Sequence, residues 1–157
     1  AAVVATRGAS PSPGYPAGID PCLLGNWRVT TYRNYGLIGG DKVQYTGGAG
    51  QTITYNLDFT TVGDYSHAQP MVADYQGAHW EDTFRGTVRS RYHTSGGLLD
   101  ETIISSNVTS TLTRDGRYNN GGSAGFYLEP SQYSCQGDTL VWNSTQGNDS
   151  GEAVRVR

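Results

Sequence analysis

Asp82 is the side chain of this chain best placed to do chemistry. It lies between Trp80 and Phe84 on the apolar face of the long alternation from His79 to His93. A carboxylate held on an inward face loses its hydration, and its pKa rises unless a cation pairs with it. There it would bind a ligand cation, act as an acid or base, or pair with an inward arginine. The simpler reading puts it near the mouth of the fold, still wet, and that reading is preferred.

The three histidines suggest a metal site only at first sight. His79 and Glu81 share the polar face, but His93 lies fourteen residues along the same strand face. At about 3.3 Å per residue that distance exceeds any single coordination sphere. Asp64 with His67, or Asp74 with His79, would need further ligands from loops. No metal and no other cofactor is expected.

Nucleophilic catalysis has less support. No serine sits in Gly-X-Ser-X-Gly, and the two cysteines read as oxidised. The glycine runs Gly47-Gly48-Ala49-Gly50 and Gly121-Gly122 open strands and turns rather than helices, which is unsuited to cradling phosphate.

The elements that must position these residues are strands. The chain has 157 residues, 22 of them glycine and 11 tyrosine, with much Thr, Ser and Val. Such a length makes one domain with a real core, and such a composition makes many short strands joined by tight turns. Trp27, Val29 and Thr31 share one face of the first strand. A glycine-rich connection from Asn34 to Gly50 has room for a lid or an extra hairpin around Lys42-Val43-Gln44-Tyr45. Ile53, Tyr55, Leu57 and Phe59 alternate with polar residues.

Val62 to Ser66 and Met71 to Tyr75 read as a hairpin broken at Gln69-Pro70. From His79 to His93, Trp80, Phe84, Val88 and Tyr92 occupy one face. The other face is wholly polar, and Gly86 is the natural place for a bend. Leu98 to Ser105, Val108 to Leu112, Phe126 to Cys135, Thr139 to Asn143 and Ala153 to Arg157 complete the set. Strands at this spacing, with no amphipathic helix, predict an all-β fold. It is a single up-and-down antiparallel β-barrel of about eight strands with an N-terminal extended arm.

The arm spans residues 1–21 and the barrel 22–157. Three of the six prolines fall between Ala9 and Gly18, which excludes helix and central strand there. Val3 and Val4 sit in a short β-prone run that can add to a sheet edge, its own or a neighbour's.

Cys22 and Cys135 read as one disulfide made in an oxidising compartment. The chain starts at Ala1-Ala2-Val3 without methionine, as if a signal peptide had been removed, so a secreted, extracellular protein is expected. No segment has the apolar length of a membrane span. The net charge is −3, and Lys and Arg do not cluster, which argues against nucleic acid as a partner. Asn107, Asn143 and Asn148 begin N-glycosylation sequons of a kind that arises by chance in such a sequence.

Gly25-Asn26-Trp27 on the first strand resembles the Gly-X-Trp signature of the lipocalin (calycin) superfamily. Cys22-Leu23-Leu24-Gly25-Asn26-Trp27, the Gly47 to Thr54 stretch and Tyr133 to Leu140 are together similar to secreted lipocalin-like domains of actinobacteria. The resemblance runs from Cys22 to the C-terminus. It implies a closed barrel, with an arginine of the last strand, Arg155 or Arg157, packed over Trp27 as a cation–π contact. Avidin-type barrels open in the same way, but Trp27, Trp80 and Trp142 are too few for a biotin pocket.

Three functions follow in order of preference. The first is a barrel that binds a small apolar or amphipathic molecule in a cavity lined by Tyr55, Trp80, Asp82, Phe84 and Tyr92. The second is a structural subunit whose arm joins copies of itself into an oligomer or filament. The third is a barrel cyclase or isomerase that uses Asp82. The chain reads as a binding or structural protein before it reads as an enzyme.

Overall fold

The computed structural model describes residues 14–126 and 128–157 of the chain. The arm residues Val3 and Val4 lie outside the described residues. Among the described residues thirteen strands follow one another, and no helix is long and apolar enough to cross a membrane. They are β1 (Gly25–Ile38), β2 (Asp41–Gly47), β3 (Thr52–Tyr55), β4 (Thr60–Asp64), β5 (Met71–Tyr75), β6 (Ala78–Arg85) and β7 (Thr87–Ser95). Then come β8 (Leu98–Ser106), β9 (Thr109–Arg114), β10 (Arg117–Ser123), β11 (Ser131–Gln136), β12 (Thr139–Ser144) and β13 (Asp149–Val156).

Eight of them close an antiparallel barrel in the order β1-β3-β4-β7-β8-β11-β12-β13, with β13 returning to β1. The other five, β2-β5-β6-β9-β10, continue from the far half of β1 as an open wall. The two sets are halves of the same meander. β2 runs on into β3, β4 into β5, β6 into β7 and β8 into β9, each passing between wall and barrel at a break.

This corrects the expected hairpin between Val62–Ser66 and Met71–Tyr75. β4 pairs with β3 and β7, while β5 pairs with β2 and β6, and the two do not pair with each other. The break around Pro70 carries one course of chain from the barrel to the wall. The alternation from His79 to His93 likewise divides at Gly86, whose φ is +109°. A Cβ there would sit 2.7 Å from Asn107 Oδ1 and 2.8 Å from Asn107 O, so only glycine lets the two crossings touch. Asn107 Oδ1 accepts a hydrogen bond from the Thr87 N–H at 2.7 Å and ties the crossings together.

The expected extra hairpin is present as the pairing of β1 with β2. Strand β10 was not foreseen. All seven of its residues are exposed, so it carries no hydrophobic alternation.

Two hydrophobic cores result. Ile19, Leu23, Trp27, Val29, Tyr55, Tyr92, Leu99, Leu140 and Ala153 fill the closed end of the barrel. Ile38, Val43, Tyr45, Met71, Ala73, Ala78 and Trp80 pack on the inner face of the wall. Tyr32 touches both. Ile19 is buried although it precedes Cys22, and the Gly18 carbonyl accepts the Thr94 N–H at 2.8 Å, so the chain enters the barrel floor before the disulfide.

That floor is clamped at several points. Trp27 is fully buried and its indole N–H donates to the Leu23 carbonyl at 2.8 Å. The Arg155 guanidinium lies 4.3 Å from the centre of the Trp27 ring and donates to the carbonyls of Leu24 and Cys22. Gly25, at φ +114°, leaves Arg155 its path, because a Cβ would stand 3.3 Å from Nη1. Arg157 pairs with Asp138, whose carboxylate also lies 3.5 Å from Arg155 Nε. Cys22 and Cys135 form the disulfide, with Cα atoms 6.0 Å apart.

Candidate functional site

Between the two cores the barrel is not filled. A cavity of about 120 Å³ is lined by residues of β1, β3, β4, β7, β8, β11, β12 and β13 and by Phe126, Leu128 and Glu129. A smaller one of about 80 Å³ shares Tyr32, Gln51, Tyr65 and Phe126 with it and reaches Met71 and Phe84 under the wall.

Tyr32 reaches the cavity through a bulge. The register of β1 against β13 shifts between Val29 and Thr31, which inserts one residue and exchanges the faces beyond it. Trp27 and Val29 therefore point into the barrel with Tyr32, whereas Thr31 is exposed. This corrects the expectation that Thr31 shares the face of Trp27. Opposite Tyr32 on β13 stands Gly151, which also opposes Trp142 on β12. With no side chain between them, the rings of Tyr32 and Trp142 come to 6.2 Å.

Three carboxylates line the same cavity: Glu101 on β8, Asp149 at the start of β13 and Glu129 in the segment 124–130. Among the described residues, no lysine, arginine or histidine lines it. Asp149 is held by neutral donors, the Tyr32 phenol on Oδ2 and the Trp142 indole N–H on Oδ1 at 3.0 Å. Its own N–H donates to Ser144 Oγ at 3.0 Å, fixing the turn before β13. Burial raises the Asp149 pKa, against the pull of the two hydrogen bonds.

Glu101 is held more loosely, with the Tyr55 phenol at 3.5 Å. Burial pushes its carboxyl up to about 7, with the charges of Asp149 and Asp100 adding to the rise. Glu129 Oε1 accepts from Asn148 Nδ2 at 2.7 Å, while its Oε2 is buried without a partner. Burial also raises the Tyr32 and Tyr55 phenols well above their ordinary value, so both stay protonated as donors.

The roof is aromatic. Phe126 stacks on Tyr65 with ring centres 6.0 Å apart, and Tyr65 in turn meets Phe84 at 5.8 Å. The segment that carries Phe126 is anchored at both ends, where the Ala124 N–H reaches the Val108 carbonyl and the Pro130 carbonyl accepts the Thr145 N–H.

The structure parts the five residues expected to line one cavity. Tyr55 lines the main space and Phe84 the annex. Tyr92 is sealed in the floor, edge-on to Tyr55 at 5.1 Å, with its hydroxyl on the Asn56 carbonyl. Trp80 belongs to the core of the wall, with Arg114 over its ring at 5.6 Å. Asp82 lies on the wall as well, where Ser110 Oγ donates to it and burial raises its pKa. Trp80, Asp82 and Tyr92 reach neither space: the strand divides at Gly86, with Trp80 packed in the core of the wall and Tyr92 in the floor of the barrel.

Sequence reasoning passed over Tyr32, Glu101, Glu129, Trp142 and Asp149. His79, on the outer face, has Nδ1 2.9 Å from Asp74 and Nε2 3.2 Å from Glu81, an exposed cluster remote from the cavity. Family models, curated proteins and solved structures were all compared with this chain, and none matches it.

Proposed function

We propose that the protein is a secreted, lipocalin-like carrier that holds a small amphipathic molecule in the barrel cavity. The carrying observation is a space left open between two packed cores and lined by Tyr32, Tyr55, Tyr65, Trp142 and buried carboxylates. Interiors are normally close-packed, and buried acids are normally paired. A cavity that combines aromatic walls with a few convergent polar groups has the make-up of a ligand site. Arg155 over Trp27 behind Gly25 fits the lipocalin resemblance, and the Cys22–Cys135 bridge suits an extracellular setting.

The test is uptake of a neutral solvatochromic dye, followed by displacement and native mass spectrometry. Blue-shifted emission that is lost in Ser90→Leu, which fills the cavity wall, supports the reading. A protein that takes up no dye and carries no ligand in native spectra refutes it.

A subunit joined through its arm is a second reading, favoured by one observation. β10 ends the wall and pairs only with β9 among the described residues, so its outer edge is open to an added strand. Deleting residues 1–13 should then abolish assembly seen by light scattering, and assembly that persists would refute it.

A further inference from the structure

We infer that the cavity selects a compact organic cation, a ligand carrying an ammonium group on an aromatic or aliphatic body. The inference rests on the carrier reading and names the ligand class for that site. The chemistry of the lining supports it from two independent directions. Glu101, Asp149 and Glu129 bring three acids to one partly enclosed space with no basic side chain in its lining. Their hydrogen bonding is also unequal. Asp149 is satisfied by Tyr32 and Trp142, whereas Glu101 has one long contact and Glu129 Oε2 has none. A buried acceptor without a donor is costly, and a ligand that brings N–H donors removes that cost. An anion would meet three acids, and a purely apolar ligand would leave Glu129 Oε2 orphaned.

The walls agree with the acids. Tyr32, Trp142, Tyr65 and Phe126 present ring faces and edges around the space, and aromatic faces attract cations when water is excluded. The volume of about 120 Å³ limits the body to a single ring or a short chain.

The ionisable side chains around the site are Tyr32, Tyr55, Tyr65, Glu101, Glu129 and Asp149, with Asp100 beside Glu101 and Arg33 beside Asp149. The carboxyl raised to about 7 is protonated in the empty cavity below that pH. An ammonium group entering beside it favours the carboxylate, so binding releases a proton to solvent.

The probes are phenethylamine, 2-phenylethanol and phenylacetate, which share one body and differ in charge. Isothermal titration near pH 6 in two buffers of different ionisation enthalpy reads both affinity and proton release. The expected result is that phenethylamine binds at least about tenfold more tightly than either of the others. It should release a proton, and Glu101→Gln should reduce both the preference and the release. Glu129→Gln, outside every strand, repeats the affinity measurement should Glu101→Gln fail to fold. Equal binding of the three probes, or dye uptake without phenethylamine binding, overturns the cation while the carrier reading stands. Binding of neither dye nor probes overturns both.

Discussion

Tyr32 and Trp142 end on the same carboxylate. The phenol of Tyr32 and the indole N–H of Trp142 both donate to Asp149, from strands that flank β13 on either side. Gly151 makes this possible, because it faces both residues and leaves the space their rings share. The triad closes one side of the cavity with both direct donors neutral, so hydrogen bonds rather than an ion pair hold the acid there.

Tyr32→Phe keeps the ring and removes one donor. At neutral pH the loss should cost about 1–3 kcal/mol, the value of a hydrogen bond to a charged acceptor. As the pH falls Asp149 takes up its own proton and the cost should shrink. Urea unfolding at pH 7 and again below the raised Asp149 pKa measures both. An equal cost at the two pH values would show that Asp149 is not the partner.

Glu101 makes stability depend on pH in a predictable direction. Its folded pKa is raised from 4.5 to about 7, so between those values the folded state binds more protons than the unfolded chain. Stability from this group is highest in acid, declines from about pH 4.5 to 7 and is level above. Full loss amounts to about 3 kcal/mol at most. Glu101→Gln should flatten that decline and leave the protein more stable than wild type at pH 8. Denaturant midpoints at half-unit pH steps decide the matter, and a variant with the wild-type slope would exclude a buried Glu101.

Much of the fold was legible in the residues, and the cavity was not. Gly25, Trp27 and the two cysteines sit at a closed end where packing dictates residue type. Alternation told in from out along His79 to His93 because one face is wholly polar. It failed at Glu101, where Leu98-Leu99 and Ile103-Ile104 put apolar residues on both faces. It failed at Tyr32 because the bulge after Val29 exchanges the faces. Asp149 read only as the middle of a sequon before a last strand expected from Ala153, whereas β13 begins there. Glu129 lies in a segment with no period at all.

The two arginines of the last strand should differ sharply. Arg155 stacks on buried Trp27 and donates to three main-chain carbonyls, those of Leu24, Cys22 and Gly137, so Arg155→Ala should cost about 3 kcal/mol. Arg155→Lys should recover little of it, since an ammonium lacks the planar fork. Arg157 makes an exposed pair with Asp138, worth under about 1 kcal/mol. Thermal melts of the three variants give the comparison, and equal losses for Arg155→Ala and Arg157→Ala would refute the stacking role.

The disulfide and Arg155 hold the same turn, because one guanidinium nitrogen donates to the carbonyl of Cys22. Closing a loop of 113 residues contributes about 5 kcal/mol in the chain-entropy picture. Cys22→Ser with Cys135→Ser should lose most of that. Removing Arg155 as well should cost less than the sum of the separate changes, since the freed turn no longer presents the carbonyl in place. A double-mutant cycle in urea tests the coupling, and strict additivity would place the two clamps on independent parts of the floor.

Asp82 separates the wall from the cavity. It is partly buried and bonded to Ser110, yet it lines neither the main space nor the annex. A catalytic role for it would need a substrate on the inner face of the wall, where Trp80, Tyr45 and Met71 already pack. Asp82→Asn should therefore leave dye and phenethylamine affinity at the wild-type level. Its effect should fall on stability instead. Burial raises the folded pKa of Asp82 above 3.8, so its contribution declines as the pH rises through the interval between that value and the raised one. The asparagine removes the decline. Titrations of ligand and of stability on the same variant tell the two regions apart, and a loss of binding in Asp82→Asn would extend the site onto the wall.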